Sequence, residues 1–242
     1  MNRRSLISLT SLFGQKSGGG FPAICLQYHS FSQTVDRYHI TPLVLKAHME
    51  AIAARHNVRV TIDDARASIY EIAFPLLSEH TSKTTIFIDT SHIGVGPRWL
   101  SAVQIMEMAQ SGISMQSHSH SHRDHLALSP RDIRDEGIQS KAILENITGA
   151  MVNQYAFPHG CYDSSVCDEL AQIGFTDFFT SDYGIGFRRC HGYLIHKRIE
   201  IFRAESIPYF FRRDVILKRV LRRRLRTMWD ALRRQFGLYQ TG

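Results

Sequence analysis

Short apolar runs alternate with longer amphipathic stretches along the middle of the chain. Seven runs are strand-like in length and rich in β-branched or aromatic residues: 23–28, 58–62, 84–88, 113–116, 155–157, 177–180 and 193–201. Thr41-Pro42 and Ser129-Pro130 are typical helix starts, and Gly149 is placed to end the second of these helices. The alternation predicts a parallel α/β fold, either a closed (β/α) barrel or an open doubly wound sheet.

The segments that flank this pattern differ from it in composition. Residues 14–20 read GQKSGGG, a glycine-rich linker, so residues 1–20 are predicted to form an N-terminal appendage. Residues 21–208 are predicted to form one α/β domain, since a hydrophobic share of 43% is enough for a full core. Residues 209–242 form a separate C-terminal segment.

The C-terminal segment carries the positive charge of the chain. Nine arginines and one lysine stand against two aspartates between Phe210 and Phe236, while the whole chain has a net charge of +7. An apolar stripe runs through Leu217, Leu221, Leu225, Met228, Leu232 and Phe236. This spacing predicts a basic amphipathic helix that either packs on the domain or binds an anionic membrane surface. Nucleic acid is not an expected partner, because no base-reading motif accompanies the charge.

The sequence predicts a cytoplasmic protein. Residues 6–13 are apolar but interrupted by serine and threonine, which is unlike a secretory signal. No apolar window approaches the length of about 20 residues that a membrane span needs. If the basic helix binds lipid, the expected location is the inner face of the membrane.

Charged side chains follow the apolar runs where the strands are predicted to end, which is where α/β proteins carry functional residues. Asp63 and Asp64 follow the second run. Adjacent carboxylates resist joint ionisation unless a cation lies beside them, and in an extended chain they point opposite ways. One of the pair is therefore predicted to bind a cation and the other to act as a base. The alternative is a solvated turn or helix cap.

A histidine-rich run follows the fourth apolar segment. His118 and His122 are four residues apart, so both rings converge if the run is one helical turn; in an extended strand, His118, His120 and His122 would instead share a face. One carboxylate with two imidazoles leaves room for water on a divalent ion, which indicates hydrolysis of an amide or an ester. The alternative is an exposed loop that binds metal only adventitiously.

In this order, the residues resemble the polysaccharide deacetylase family, also called carbohydrate esterase family 4 or the NodB homology domain. Thr61-Ile62-Asp63-Asp64-Ala65 stands where the family has T-F-D-D-G, and His118-Ser119-His120-Ser121-His122 matches H-[ST]-x-x-H. The resemblance covers residues 21–202. It implies a distorted seven-stranded (β/α) barrel, with Asp63 as general base and Asp64, His118 and His122 as ligands of a divalent metal. Zn²⁺ is the expected ion, with Co²⁺, Ni²⁺ and Mn²⁺ as alternatives.

Further motifs resemble the branch of this family that acts on bacterial exopolysaccharides. Residues 26–29 and 197–201 are similar to its opening and its ending, which implies that His29 borders the site. Residues 156–159, AFPH, stand where many members have R-x-P-Y, so the arginine that orients the base is missing from that position.

The resemblance also implies roles at this third motif and beyond it. The backbone N–H of His159 would bind the oxyanion, while Phe157 and Pro158 would contact the substrate. A late histidine, His196 with His191 second, would be the general acid. Ala65 replaces a glycine, which costs about 1 kcal/mol if the backbone there has a positive φ.

Together these features predict a hydrolase that removes N-acetyl groups from an N-acetylated sugar in a polysaccharide or a lipid-linked glycan. Two alternatives stand beside it. One is a non-catalytic module of the same fold that binds a glycan or a membrane. The other is an amide hydrolase of a small non-sugar compound.

Overall fold

A computed structural model describes residues 24–34, 39–53, 55–77 and 83–201. The predicted appendage (1–20) and the predicted basic helix (209–242) lie outside these residues, so the membrane role of that helix stays a prediction. Among the helices that are described, none combines the length and the apolar character needed to cross a bilayer.

The described residues contain eight strands. Their bounds are Ile24–Tyr28 (β1), Val58–Asp63 (β2), Thr84–Ile88 (β3), Ser114–Ser117 (β4), Gln154–Ala156 (β5), Asp177–Tyr183 (β6), Phe187–Cys190 (β7) and Tyr193–Glu200 (β8). Seven are parallel and pair in the order β1-β2-β3-β4-β5-β6-β8, with β8 returning to β1. The sheet is therefore a closed barrel, as the resemblance implied, and each predicted strand is found with its ends within three residues.

Helices connect the parallel strands. They are Pro42–Ala53 (α1), Phe74–Leu77 (α2, after a π-helical turn over Ile69–Ala73), Ala102–Gln110 (α3), Pro130–Thr148 (α4) and Ser164–Gln172 (α5). The predicted ends of α4 are confirmed, because the Ser129 side chain accepts the backbone N–H of Asp132 and Gly149 has a φ of 66°.

Strand β7 was not predicted from the sequence. It pairs antiparallel with β8 from Phe187 to Cys190, along the part of β8 that β1 does not reach. The barrel therefore closes through β1 over only three residues of β8, and β7 covers the rest of that edge. Its sequence, FRRC, lacks the apolar alternation that marks the other strands.

A cluster of buried apolar side chains lies inside the barrel. Cys25, Phe87, Ala156 and Phe179 form one buried cluster, with the rings of Phe87 and Phe179 4.9 Å apart. Asp63 is in register with Phe87, and Arg198 is in register with Cys25. Asp63 of β2 and Arg198 of β8 thus lie buried next to this apolar cluster, towards the carboxyl ends of the strands.

Candidate active site

Asp63 is a buried carboxylate at the end of β2. Arg198 donates to both of its oxygens, from Nη1 to Oδ1 at 2.6 Å and from Nη2 to Oδ2 at 2.8 Å, and Gln27 donates to Oδ2 at 2.8 Å. Burial alone would raise the pKa of Asp63, but the Arg198 guanidinium, with nearby imidazoles, holds that pKa well below its usual range. The carboxylate is therefore ionised and fixed in orientation.

Arg198 supplies Asp63 with the arginine that the third motif lacks. Its side chain is 0% exposed and that of Asp63 is 1% exposed. The two residues are 135 positions apart, and barrel closure between β1 and β8 brings them together. The arginine that is missing from the loop after β5 is therefore replaced by one from β8.

Replacing Arg198 by methionine is expected to lower the free energy of unfolding by about 3–5 kcal/mol at pH 7, since Asp63 would be left buried and unpaired. In the native protein the low pKa of Asp63 adds stability above about pH 4, and that stability is lost as the pH falls further. In the variant the pKa of Asp63 rises, so the stability deficit shrinks as this carboxylate becomes protonated. Urea denaturation at pH 7 and pH 4 measures both effects.

The matched control is Arg131→Met. Arg131 lies 3.8 Å from Asp135 in an exposed ion pair, with its own side chain 86% exposed. Exposed pairs of this kind contribute at most about 1 kcal/mol. If Arg198→Met lowers the free energy of unfolding by no more than Arg131→Met does, the buried pair contributes no more to stability than an exposed pair.

Asp64 has different partners from those of Asp63. Its φ is 70°, in the left-handed region that aspartate tolerates better than most residues. Oδ1 faces two histidines, while Oδ2 lies 3.8 Å from Nε of Arg66. The positive φ falls on Asp64 and not on Ala65, so the penalty considered for alanine in place of glycine does not arise.

His118 and His122 converge on Asp64. Their Nε2 atoms lie 3.8 and 3.6 Å from Asp64 Oδ1. The Nδ1 of His118 donates to the carbonyl of Ala156 at 2.8 Å, which orients the ring so that its Nε2 faces Asp64. Burial, together with the nearby His118, lowers the pKa of His122 to about 4, so this ring is neutral at pH 7.

These three side chains fit a shared divalent ion. Donors that bind one zinc at about 2.0–2.2 Å lie about 3–4 Å from one another. The donor atoms of Asp64, His118 and His122 all lie within 4.8 Å of one another. One carboxylate with two imidazoles is also a donor set that zinc and related ions accept.

The histidine run is neither a helix nor a strand. Strand β4 ends at Ser117, and the chain then turns through left-handed residues at Ser119 (φ 72°) and His122 (φ 58°). His120 turns aside, with its Nδ1 2.9 Å from the hydroxyl of Thr90. Both geometries considered for the run are therefore replaced by a tight loop, which we call the metal loop (residues 118–123).

Glu136 of α4 holds the metal loop in place, and this role was not predicted from the sequence. Its carboxylate accepts the backbone N–H of His120 at 2.9 Å and of Ser121 at 2.7 Å, with further bonds from side chains of the loop. Burial would raise the pKa of Glu136, but bonds from Ser121, Ser119 and Arg123 lower it to about 2. In the sequence, Glu136 is marked only by its place in the second turn of a capped helix.

The third motif forms one edge of the site. The ring of His159 lies edge-on to that of His122, with centroids 4.6 Å apart, and its backbone is left-handed with a φ of 57°. Pro158 is buried beside it. Phe157 is 1% exposed and stacks on Tyr162, so its ring is enclosed by protein.

Three candidate histidines remain. His191 lies at the exposed turn between β7 and β8, paired with Asp168, while His29 and His196 lie at different levels of the barrel. His29 follows β1, and its Nε2 is 3.5 Å from the Gln27 amide that also contacts Asp63. His196 is buried below, with its Nε2 2.8 Å from Asp177, the first residue of β6. The structure therefore brings His29 to the base and does not bring His196 to it.

Comparison with known proteins gives a consistent match. The family model described as polysaccharide deacetylase matches residues 52–178. YxkH of Bacillus subtilis (strain 168), whose name places it among the polysaccharide deacetylases, is 29% identical over 140 residues, or 58% of this chain and 50% of that protein. This chain thus spans about half the length of the curated relative that it matches.

Solved structures share the fold. The deacetylase PplD of Streptococcus pyogenes, solved with acetate, matches with a TM-score of 0.70 at 22% identity, over 78% of this chain and 97% of that one. IcaB from Ammonifex degensii matches with a TM-score of 0.65 at 21% identity, over 75% of this chain and 92% of that one. At these identities the likeness establishes a common barrel.

Proposed function

This chain belongs to the polysaccharide deacetylase family, and we propose that it removes N-acetyl groups from an N-acetylated sugar in a polysaccharide or a lipid-linked glycan. The observation that carries the proposal is the split within the Asp63-Asp64 pair. Asp63 is buried against an arginine, while Asp64 faces two imidazole nitrogens at 3.6 and 3.8 Å. Simple glycan binding needs no ionised carboxylate beside such a set of metal ligands.

Asp64, His118 and His122 would hold the metal, with Zn²⁺ as the first expectation and Co²⁺, Ni²⁺ or Mn²⁺ as alternatives. A divalent ion bound there supplies Lewis-acid chemistry, polarising the acetamide carbonyl and acidifying water. The bond from His118 Nδ1 to the Ala156 carbonyl directs its Nε2 towards the site, and burial lowers the pKa of His122.

Asp63 takes the proton from the attacking water. Its low pKa keeps it ionised over the whole range of working pH, and bonds from Arg198 and Gln27 fix both oxygens. A carboxylate with so low a pKa is a weak base, so it works best on water that is already acidified. Water adds to the acetamide carbon, and the backbone N–H of His159 is proposed to bind the resulting oxyanion.

The leaving amine must gain a proton before the C–N bond breaks. We assign this step to His29, because the Gln27 amide links its ring to Asp63 on the side of the barrel where the base lies. The ring of His196 pairs with Asp177 instead. The products are acetate and a free amino sugar.

Acetate release from oligomers of N-acetylglucosamine tests the proposal. The zinc-loaded protein is expected to release acetate, and chelation is expected to stop it. His29→Gln should lower kcat by about 10²–10⁴ with zinc content unchanged. The control His191→Gln, at the exposed turn between β7 and β8, should leave kcat as it is.

Three outcomes would argue against parts of this account. Normal kcat in the His29 variant would remove the assigned acid. A zinc-loaded protein that releases no acetate from glycans would favour the non-catalytic module. Acetate release from small amides, but not from glycans, would favour the small-molecule hydrolase.

A further inference from the structure

Glu136 is a buried acid that takes no part in the proposed chemistry. It lies on α4, its side chain is 4% exposed, and its partners lie in the metal loop. Oε2 accepts the Ser119 hydroxyl at 2.7 Å and two backbone N–H groups, and Oε1 accepts from the Ser121 hydroxyl and from Arg123 at 3.0 Å. Five donors from one loop thus converge on one carboxylate.

The shape of the metal loop requires an anion at this position. Left-handed residues at Ser119 and His122 turn the chain so that the backbone N–H groups of His120 and Ser121 point to the same spot. Successive N–H groups in such a turn form a concave anion site. Without a carboxylate there, these backbone N–H groups would lose their acceptor in a mostly buried position, which is unfavourable.

One hydroxyl connects Glu136 to a metal ligand. The Ser119 hydroxyl donates to Glu136 and accepts the backbone N–H of His122 at 3.1 Å. His118 is held by other means, since its backbone N–H donates to Ile88 and its Nδ1 donates to Ala156. Loss of the Glu136 charge should therefore loosen His122 and leave His118 in place.

We infer that Glu136 is a positioning residue that presets His122 for metal binding through the Ser119 hydroxyl. The inference rests on the proposed metal site and adds to it a residue that contacts neither metal nor substrate. Outer partners of metal ligands typically contribute 10–100-fold to metal affinity. We expect Glu136→Gln, which keeps the size but removes the charge, to weaken zinc binding by that factor.

The test measures the zinc dissociation constant of the full chain by competition with a chromogenic chelator. Glu145→Gln is the matched control, because Glu145 lies on the same helix and accepts the backbone N–H of Val152 at 3.0 Å, away from the metal loop. Glu145→Gln should lower stability without changing zinc affinity. Glu136→Gln should change both.

A double-mutant cycle tests the route of the effect. If Glu136 acts through the Ser119 hydroxyl, then Glu136→Gln should cost little further zinc affinity once Ser119 is alanine. Ser119→Ala keeps the carboxylate but removes the link, and it should weaken zinc binding if Glu136→Gln does not fold. Wild-type affinity in the folded Glu136 or Ser119 variant, or full additivity of these two substitutions, would overturn the inference. Absence of zinc binding by the wild-type chain would instead reject the metal site itself.

Discussion

Asparagine at position 63 is expected to reduce acetate release at least about a thousandfold while zinc remains bound. The amide has the same shape as the carboxylate but cannot accept the proton of the attacking water. Asp64, His118 and His122 keep their positions, because none of them depends on Asp63 for a hydrogen bond among the contacts described above. Acetate release at saturating zinc and substrate, with zinc content measured on the same sample, gives the result.

The same substitution removes the charge that Arg198 faces in the barrel interior. A buried arginine without its carboxylate is costly, so thermal stability should fall as well. Activity should therefore be compared well below the unfolding temperature of the variant. Acetate release within tenfold of the wild-type rate by a folded, zinc-loaded Asp63→Asn protein would refute the assignment of the base.

Removal of the His118 ring is expected to weaken zinc binding by more than about 100-fold and to abolish acetate release. His118 is the most enclosed of the three ligands and is fixed on both sides, by Ala156 and by strand pairing with Ile88. Alanine there leaves Asp64 and His122, too few donors to retain zinc at micromolar concentration. Zinc affinity of His118→Ala by chelator competition is the measurement.

His120→Ala is the matched control for this ligand. His120 belongs to the same metal loop, but its ring bonds to Thr90 and is absent from the cluster around Asp64. Its removal should change zinc affinity by less than about threefold, because its ring is not one of the ligands. Equal losses in the two variants would mean that zinc binds to the histidine run as a whole.

The barrel and the ligand set could be predicted because both follow from local patterns in the amino-acid sequence. Each parallel strand is a short apolar run, and Asp64, His118 and His122 directly follow two of them. The carboxyl ends of parallel strands meet at one end of a barrel, so placement alone brings such residues together.

Partners distant in sequence could not be predicted in the same way. The pairing of Asp63 with Arg198 depends on how β8 closes the barrel, which no local pattern specifies. The role of Glu136 could not be predicted because an acid on a polar helix usually faces solvent, and only the left-handed turns of the metal loop give it a role. The sequence also favoured His196 as the acid, but its position in β8 pairs it with Asp177.

The position of the bound ion tests the central claim most directly. Crystals of the full chain grown with zinc, measured at wavelengths on both sides of the zinc absorption edge, would locate the ion by its anomalous signal. The account predicts one strong peak within about 2.0–2.2 Å of Asp64 Oδ1 and of the Nε2 atoms of His118 and His122, with Asp63 outside ligand distance. A peak bound by His120, His125 or His159 instead, or no peak between these three side chains at saturating zinc, would contradict it.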